Sequence, residues 1–365
     1  MEKPNSQPDI SILIPACNKE KTILRSLRSA LEQTGTNVEV IVADDASSDR
    51  TVELVRAFAE KDPRVRLVTH RENRGTLITR MDAFKASTGK YILCLDADDI
   101  LDAGTAELVL GAAEKEQADL VGFGARLYRG KACAGTVDAV RCTLTGRDIF
   151  DAAFRDHLYN WSVCLKLIRR DLFAKAVSET EEFYCVSAED FYFYTVLSLF
   201  AKRLIMTGQV LYNYWIEEGL TGECSSESFG RFATMLDALT AVRRFLEKQG
   251  MMESCRQSFE TREREHFFLL LKRFPGTAAA LTIMMEKYEP AAIRKYLSAY
   301  FSLDYAGQAM AAWENHTGLP PLPNRRINDE RGRIKRLVES VIKPENRLWF
   351  LLKRGVDWFR WRKYR

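Results

Sequence analysis

Three carboxylates follow a short apolar run in the segment YILCLDADDI, residues 91–100. They belong to Asp96, Asp98 and Asp99, and carboxylates held this close repel one another, more strongly when they are partly buried. A hard divalent cation such as Mg²⁺ or Mn²⁺ takes oxygen ligands and commonly binds one or two carboxylates together with substrate phosphates. The spacing therefore indicates a metal site for a phosphate-bearing substrate, and a solvated turn in which one Asp caps the next helix is the alternative.

Polar clusters also follow three other apolar runs in the first 125 residues. PACNKE follows ISILIP, DDASSD follows VEVIVA, and RENRG follows VRLVTH. Helical patterns separate the apolar runs, at about residues 20–33, 51–60, 77–86 and 103–116. Strands separated by helices of this length imply βαβ units and a mainly parallel sheet with flanking helices. Such a sheet binds ligands at the carboxyl ends of its strands, so the polar clusters are expected to lie along one edge.

The composition is that of a folded soluble protein: 46% of the 365 residues are apolar and 28% are charged. The polar N-terminus MEKPNSQPDI has no apolar signal sequence, and no apolar run is long enough to span a bilayer. The eight cysteines show no C-x-x-C pair, which favours free thiols. A cytoplasmic location is therefore expected.

The basic residues are concentrated at the C-terminal end of the chain. Residues 325–365 hold 14 Lys and Arg against 5 Asp and Glu, whereas the remaining residues hold 40 against 45. In residues 343–365 the cations alternate with aromatic residues, a pattern that suits an anionic membrane surface. Packing of this tail on the protein's own acidic body is the alternative, and nucleic acid is not an expected partner.

The order of the motifs resembles that of the family 2 glycosyltransferases with the GT-A fold, over about residues 9–220. SILIPACNKE is similar to the opening strand and P-x-Y-N-x-E turn of the family, and VEVIVADDASSDRT to its V-D-D-G-S-x-D-x-T segment. NRGTLITR is similar to N-x-G-x(4)-R, and YILCLDADD to the D-x-D-D metal loop. The resemblance implies a GT-A, Rossmann-like α/β fold and a nucleotide-sugar donor.

The resemblance also implies roles for individual residues on the donor side. Asp45 is expected to contact the nucleotide base, and Arg80 the ribose or the phosphates. Asp98 and Asp99 are expected to bind Mn²⁺ or Mg²⁺, while Asp96 supports their loop. The turn after the first strand is expected to contribute further contacts to the nucleotide, from Pro15, Cys17, Asn18 and Glu20.

A second set of motifs points to the acceptor side. NWSVCLKLIRRDLF resembles the W-N-K-L-Y-R-R-x-L-F stretch of the family, and SAEDFYFY resembles its E-D motif at the start of a helix. Inverting transfer needs a general base, and Asp190 is the candidate, with Glu189 supporting it or exchanging roles with it. The alternative for such a pair is electrostatic stabilisation of a helix first turn.

Three positions depart from the family pattern. Cys17 stands where the family often has a Tyr, Met81 replaces a common Asn, and Trp215 stands near a place where basic residues are frequent. A nucleophilic role for Cys17 is an alternative, but no His base is adjacent in the sequence. His70 is expected to be a surface or hydrogen-bonding group.

These patterns divide the chain into three predicted parts. Residues 1–225 form the GT-A domain, with a nucleotide-sugar half at about 9–125, a polar loop at about 126–145, and an acceptor half at about 146–222. Residues 226–318 form a helical C-terminal extension, because they show 3.6-residue apolar periodicity without strand signals. Residues 319–365 form a proline-rich linker and the basic, aromatic tail.

The function predicted from the sequence is inverting, metal-dependent transfer of a sugar from a nucleotide diphosphate donor, a UDP-sugar. The predicted acceptor is a hydroxyl of a bacterial surface glycan or of a lipid-linked oligosaccharide, at the inner face of the cytoplasmic membrane. A nucleotidyltransferase acting on sugar phosphates is an alternative, although its Gly-rich phosphate loop is missing. A catalytically inactive GT-A binding protein is a second alternative, and the oligomeric state is left open.

Overall fold

The computed structural model describes residues 7–138, 140–156, 158–216 and 226–273. Its N-terminal half alternates strands with helices, as the apolar periodicity predicts. The strands are β1 (Ile10–Ala16), β2 (Val38–Asp44), β3 (Val65–Thr69), β4 (Tyr91–Cys94) and the short β5 (Ile100–Leu101). The helices are α1 (Ile23–Leu31), α2 (Thr51–Ala59), α3 (Thr76–Ala86) and α4 (Thr105–Glu116).

The strands of this half form the parallel part of a single sheet, in the order β3-β2-β1-β4. The register pairs Ile10 of β1 with Val38 of β2 and with Tyr91 of β4. All seven residues of β2 and six of the seven in β1 are buried, which is typical of parallel strands covered on both faces. The carboxyl ends of β1, β2, β3 and β4 therefore lie along one edge of the sheet.

The second half of the domain extends the same sheet with antiparallel and parallel pairs. Its strands are β6 (Leu120–Arg129), β7 (Ala132–Val137), β8 (Arg141–Thr145), β9 (Lys166–Arg169) and β10 (Arg203–Trp215). Its helices are α5 (Arg147–Phe154), α6 (Arg170–Glu179) and α7 (Glu189–Phe200), and a 3-10 turn spans Val163–Leu165. Strand β9 lies antiparallel between β4 and β6, and β10 runs parallel to β6, which completes the order β4-β9-β6-β10-β5.

Residues 126–145 differ from the predicted polar loop. They contain the end of β6, all of β7, which pairs with β6, and all of β8, which pairs with β10. The side chains of β7 and β8 are mostly exposed or half-buried. These strands are therefore held by backbone hydrogen bonds at the margin of the sheet and show no apolar alternation that sequence reasoning detects.

Helices follow the sheet domain, at α8 (Ser226–Ala233), α9 (Met235–Lys248) and α10 (Met252–Arg273). The chain divides into two compact units, one of residues 1–223 and 238–252, and one of residues 224–237 and 253–365. The helical pattern predicted from residue 226 agrees with these helices up to residue 273. The rest of the predicted extension and the basic tail lie outside the described residues.

No helix within the described ranges is both long enough and apolar enough to cross a lipid bilayer.

Candidate active site

The loops that follow β1 and β2 are joined by hydrogen bonds between backbone groups and polar side chains. The Asn18 backbone N–H donates to Ser47 Oγ at 2.8 Å, and the Ser48 backbone N–H donates to Asn18 Oδ1 at 2.8 Å. The Arg50 backbone N–H donates to Glu20 Oε2 at 3.2 Å. Two of the predicted nucleotide contacts, Asn18 and Glu20, therefore also hold the β2–α2 loop against the first turn.

Asp45 organises the loop that follows β3. Its Oδ1 accepts the Arg74 backbone N–H at 2.8 Å, and its Oδ2 accepts the Gly75 backbone N–H at 2.9 Å. Gly75 has φ +85°, and an added Cβ would lie 2.7 Å from the Cys185 backbone nitrogen. Glycine is thus required there by both backbone conformation and space. This close approach joins the donor-side loop to the segment that precedes α7.

Asn73 connects Cys17 with Asp45, two residues that are predicted to contact the nucleotide. The Asn73 side-chain amide nitrogen donates to Cys17 Sγ at 3.2 Å and to the Asp45 carbonyl oxygen at 3.4 Å. Cys17 is half-buried, and Pro15 belongs to β1 just before the turn. The structure therefore brings Cys17, Asp45 and Asn73 together.

His70 is a hydrogen-bonding group of the site. Its side chain is 7% exposed, with Nδ1 lying 2.8 Å from Asp45 Oδ1 and Nε2 lying 3.3 Å from Asp82 Oδ2. The imidazole therefore lies between two carboxylates, and it contacts the same Asp45 oxygen, Oδ1, that accepts the Arg74 backbone N–H. The sequence signal for this role is only its position at the end of β3.

Arg80, on α3, occupies the centre of the site. The residue is 3% exposed, and its Nη1 lies 2.8 Å from Asp190 Oδ1 and 3.6 Å from Glu189 Oε1. Its Nη2 lies 3.5 Å from Asp96 Oδ1. One buried guanidinium therefore links the carboxylate loop after β4 to the start of α7.

The three aspartates after β4 have different environments. Asp98 Oδ2 forms an ion pair with Lys19 Nζ at 2.5 Å. Asp99 is fully buried, and it accepts the Tyr212 hydroxyl at Oδ2 (2.8 Å) and the Trp215 backbone N–H at Oδ1 (3.0 Å). Burial, together with the Asp96 and Asp98 carboxylates, raises the pKa of Asp99 well above its ordinary value. Its role as a metal ligand stays a prediction, and these contacts favour a positioning role.

Asp96 and Asp98 suit a hard divalent cation. The Asp96 side chain is 36% exposed, and that of Asp98 is 8% exposed. Partial burial and the nearby carboxylates of Asp190 and Asp98 raise the pKa of Asp96 to about 6, although Arg80 opposes the shift. The cluster thus carries negative charge that the resident cations offset only in part, which is the chemistry that a Mg²⁺ or Mn²⁺ site requires. In the part of the chain that the structure describes, no group of three or more His, Cys, Asp or Glu side chains forms a metal site by itself.

Glu189 and Asp190 begin α7 and face this cluster. Asp190 Oδ2 accepts the Val163 backbone N–H at 3.3 Å, in addition to the Arg80 contact at Oδ1. Burial, followed by the Asp190 charge, raises the pKa of Glu189 to about 7. The arrangement provides two carboxylates for proton transfer, one oriented by two donors and one with a raised pKa.

Sequence reasoning missed three residues that complete these contacts. Lys19 lies within the predicted P-x-Y-N-x-E turn, yet the motif alone does not connect it with Asp98. Tyr212 has no local signal, because its hydroxyl meets the Asp99 carboxylate across 113 positions of the chain. Lys166 lies within the second set of motifs, and its Nζ donates to the carbonyl oxygens of Asn160 and Ser162.

Part of the sequence matches a known protein family. Residues 11–138, about a third of the chain, match the family described as "Glycosyl transferase family 2". Residues 11–138 are therefore similar to the family 2 glycosyltransferases. The resemblance drawn from the motifs is confirmed at this level.

Two curated relatives are glycosyltransferases by name. The uncharacterized glycosyltransferase EpsJ of Bacillus subtilis is 31% identical over 176 residues, which are 46% of this chain and 50% of EpsJ. The UDP-Glc:alpha-D-GlcNAc-diphosphoundecaprenol beta-1,3-glucosyltransferase WfgD of Escherichia coli is 40% identical over 99 residues, which are 27% of this chain and 38% of WfgD. The matched region thus spans half or less of the length of these relatives.

Among solved structures, TarS residues 1–349 of S. aureus in complex with UDP-GlcNAc is similar in fold. The match has a TM-score of 0.59 and 19% sequence identity, and it covers 97% of this chain and 89% of that chain. At this identity the likeness supports the fold alone.

Proposed function

We propose that this protein is an inverting, metal-dependent glycosyltransferase that transfers a sugar from a UDP-sugar to a hydroxyl of a bacterial surface glycan or lipid-linked oligosaccharide. The family match and the names of the relatives favour this class over the nucleotidyltransferase alternative. The choice of UDP is supported by the UDP-GlcNAc complex of the similar TarS structure and by the name of WfgD.

The observation that carries the proposal is the position of Arg80 between two functional loops. Its guanidinium contacts both Asp96, in the predicted metal loop, and Asp190, the proposed general base. Donor-side and acceptor-side carboxylates thus share one buried cation, and a reacting sugar between them would have its leaving group on one side and its nucleophile on the other. Such an arrangement suits a single in-line displacement.

The transfer step follows from these positions. The Asp190 carboxylate takes the proton of the acceptor hydroxyl, and the acceptor oxygen forms a bond to the anomeric carbon of the donor sugar. The bond between that carbon and the diphosphate oxygen breaks on the opposite face, and its electron pair leaves with the nucleotide. A divalent cation bound by Asp96 and Asp98 would supply charge stabilisation for the diphosphate.

The protein's own residues prepare the groups that react. Arg80 and the Val163 N–H orient Asp190, and His70 with the loop N–H groups orients Asp45 toward the base of the donor. Asp99 fixes the metal loop through Tyr212 and Trp215. Preorganised donors and carboxylates of this kind supply the electrostatic part of catalysis.

We propose that the protein binds its acceptor at a membrane surface. Residues 343–365 carry 8 Lys and Arg against 2 Asp and Glu, interleaved with aromatic side chains. Cations attract anionic lipid and aromatic rings suit the headgroup boundary, so this tail would hold the GT-A domain near a lipid-linked acceptor. The sequence patterns are also the basis for the proposed division of the chain. In this division, residues 1–225 form the GT-A domain, which a helical extension and this tail follow.

The test is a panel of UDP-, GDP- and TDP-sugars incubated with the purified full chain, with Mn²⁺, with Mg²⁺ or with EDTA. Transferases of this kind cleave their donor slowly with water, so released nucleotide identifies the donor without knowledge of the acceptor. We expect cleavage of a UDP-sugar that requires the divalent cation. Cleavage of none of the donors, or full activity in EDTA, would contradict the proposal.

Asp190→Asn tests the proposed base within the same assay. It is expected to lower the turnover by about 10²- to 10⁴-fold while leaving donor affinity nearly unchanged, because a general base acts in the transition state. Asp148→Asn is the matched control, since Asp148 lies in the first turn of another helix, α5, and is exposed. Near-normal turnover in Asp190→Asn with an inactive Glu189→Gln would assign the base to Glu189.

A further inference from the structure

A buried lysine lies beside the loop that contacts Asp190. Lys166, the first residue of β9, is 0% exposed. Its Nζ donates to the carbonyl oxygens of Asn160 at 2.7 Å and Ser162 at 2.8 Å. Burial of an ammonium group costs several kcal/mol unless it is compensated by hydrogen bonds and opposite charge. The ammonium group is therefore held by features built around it.

Aromatic rings and a carboxylate supply that compensation. The ammonium lies 4.5 Å from the ring centroid of Tyr194 and 5.4 Å from that of Tyr159. The Asp138 carboxylate adds a favourable charge interaction. Cation–π contacts of this length are worth most when the cation is desolvated, as it is here.

The segment that Lys166 holds is also bound at its other polar groups. The Asn160 backbone N–H donates to both Asp138 carboxylate oxygens, at 2.9 and 3.0 Å, and the Ser162 backbone N–H donates to Asn160 Oδ1 at 2.8 Å. The next N–H in the chain, that of Val163, donates to Asp190 Oδ2. A continuous series of hydrogen bonds thus runs from the buried ammonium to the proposed general base.

We propose that Lys166 is a positioning residue for sugar transfer, which fixes residues 160–163 so that the Val163 N–H orients the Asp190 carboxylate. The inference rests on the proposed function, because it assigns the effect of Lys166 to the base. A misplacement of about 1 Å in a catalytic group lowers the rate on the order of 10²-fold. Correct placement of Asp190 therefore gives a catalytic advantage that offsets the unfavourable burial of the Lys166 ammonium group.

Because the Lys166 ammonium group is buried, turnover is expected to depend on its protonation and therefore on pH. Burial lowers the pKa of Lys166 to about 8, although nearby acidic groups oppose the shift. Below this pH the ammonium donates charge-assisted hydrogen bonds, and above it the neutral amine donates bonds that are about half as strong. Turnover is therefore expected to fall as the pH rises through about 8. The titratable groups that face Lys166 are Asp138, Asp190, Cys164, Tyr159 and Tyr194.

The first experiment replaces Lys166 with Met in the full chain and measures cleavage of the UDP-sugar found in the donor panel. We expect turnover to fall by about 10-fold or more while the Kd for UDP stays within about twofold, since only the base is misplaced. Lys202→Met is the control, because Lys202 is exposed. Wild-type turnover in Lys166→Met, or equal losses of turnover and UDP affinity, would overturn the proposal.

Hydrogen–deuterium exchange supplies a readout that does not depend on activity. Peptides covering residues 158–165 are expected to exchange faster in Lys166→Met, whereas peptides covering α3 are expected to be unchanged. Unchanged exchange in residues 158–165 would overturn the proposal that Lys166 fixes this segment, even if no sugar donor were cleaved. An inactive wild-type protein with faster exchange in the variant would instead reject the proposed function and with it the catalytic part of this inference.

Asp138→Asn tests the assignment of the pH dependence. Asp138 has φ +57°, a conformation that Asn tolerates well, and an amide oxygen can still accept the Asn160 N–H. Loss of the carboxylate charge removes an interaction that raises the pKa of Lys166, so the alkaline decline in turnover is expected at lower pH. The decline is expected to be absent in Lys166→Met. A decline unmoved in Asp138→Asn, or one that persists in Lys166→Met, would contradict the role of this ammonium.

Discussion

The Arg80 guanidinium lies 2.8 Å from the Asp190 carboxylate, and this pair joins residues 110 positions apart in the chain. Arg80 belongs to the donor-side half of the sheet domain, and Asp190 begins the helix that the acceptor-side motifs predict. Glu189 and Asp96 lie within 3.6 Å of the same guanidinium. The pair therefore makes the geometry of the proposed base depend on the proposed donor side of the site.

Arg80→Met is expected to destabilise the fold as well as the site. Its loss leaves three carboxylates without their buried counterion, which costs about 3–5 kcal/mol in the free energy of unfolding at neutral pH. The cost is expected to shrink near pH 5, where Glu189 and Asp96 bind protons because their pKa values are raised to about 7 and about 6. Urea unfolding at both pH values measures it. Arg74→Met is the control, because Arg74 is 38% exposed and its pair is expected to contribute under about 1 kcal/mol. Equal losses in the two variants would contradict the central role of Arg80.

The sheet and the polar edge of the site were predictable from local sequence patterns. Strands β1 and β2 are short, almost wholly apolar runs, and each is followed at once by polar residues, so periodicity and topology together indicate where a ligand binds. The helices α1 to α4 begin and end within about three residues of the predicted bounds. Local patterns suffice here because each strand–helix unit is continuous in the chain.

The division of labour among the aspartates was not predictable from the same patterns. Asp98 and Asp99 are neighbours in one motif, yet Asp98 meets Lys19 of the first turn and Asp99 meets Tyr212 of β10. In the sequence, Lys19 lies near the start of the sheet domain and Tyr212 lies near its end. Local sequence patterns therefore indicate neither pairing. For the same reason, local patterns do not predict the contact between Arg80 and Asp190, whereas the expected role of Arg80 at the ribose or phosphates stays a prediction.

Asp98→Ala and Asp99→Ala are expected to differ in stability. Both are expected to lower donor cleavage, but Asp99→Ala leaves the Tyr212 hydroxyl and the Trp215 N–H without their buried acceptor. That loss costs about 1–3 kcal/mol in the free energy of unfolding. Asp98→Ala removes a carboxylate from a crowded cluster, so little change is expected without metal. Thermal unfolding in EDTA compares them, with Tyr212→Phe as a reference variant that removes the hydroxyl donating to Asp99 and accepting the Asp96 backbone N–H. A loss in Asp98→Ala as large as in Asp99→Ala would contradict the distinction.

Glu189 is expected to make the stability of the protein depend on pH. Its pKa is raised from 4.5 to about 7 in the folded protein. The folded state therefore binds the proton more tightly, and the stabilisation is fully present below pH 4.5 and is lost as the pH rises through 7. Glu189→Gln removes this titration. We expect the variant to gain stability relative to wild type between pH 5 and pH 8, by on the order of 2 kcal/mol. Urea unfolding without metal or donor measures the difference, and a difference independent of pH would contradict the assignment.

The basic tail gives the last prediction, which concerns membrane attachment. A chain ending at Pro323 lacks all 14 Lys and Arg of residues 325–365, together with the aromatic residues between them. Each basic group near an anionic surface contributes about 1 kcal/mol, and salt screens this attraction within a Debye length. We therefore expect the full chain to sediment with phosphatidylserine-containing liposomes at low salt, more weakly at high salt, and little with neutral liposomes.

The shortened chain is expected to stay in the supernatant while keeping its unfolding temperature and its donor cleavage. Equal sedimentation of both chains would contradict the membrane role of the tail, and loss of folding in the shortened chain would favour packing of the tail on the protein itself.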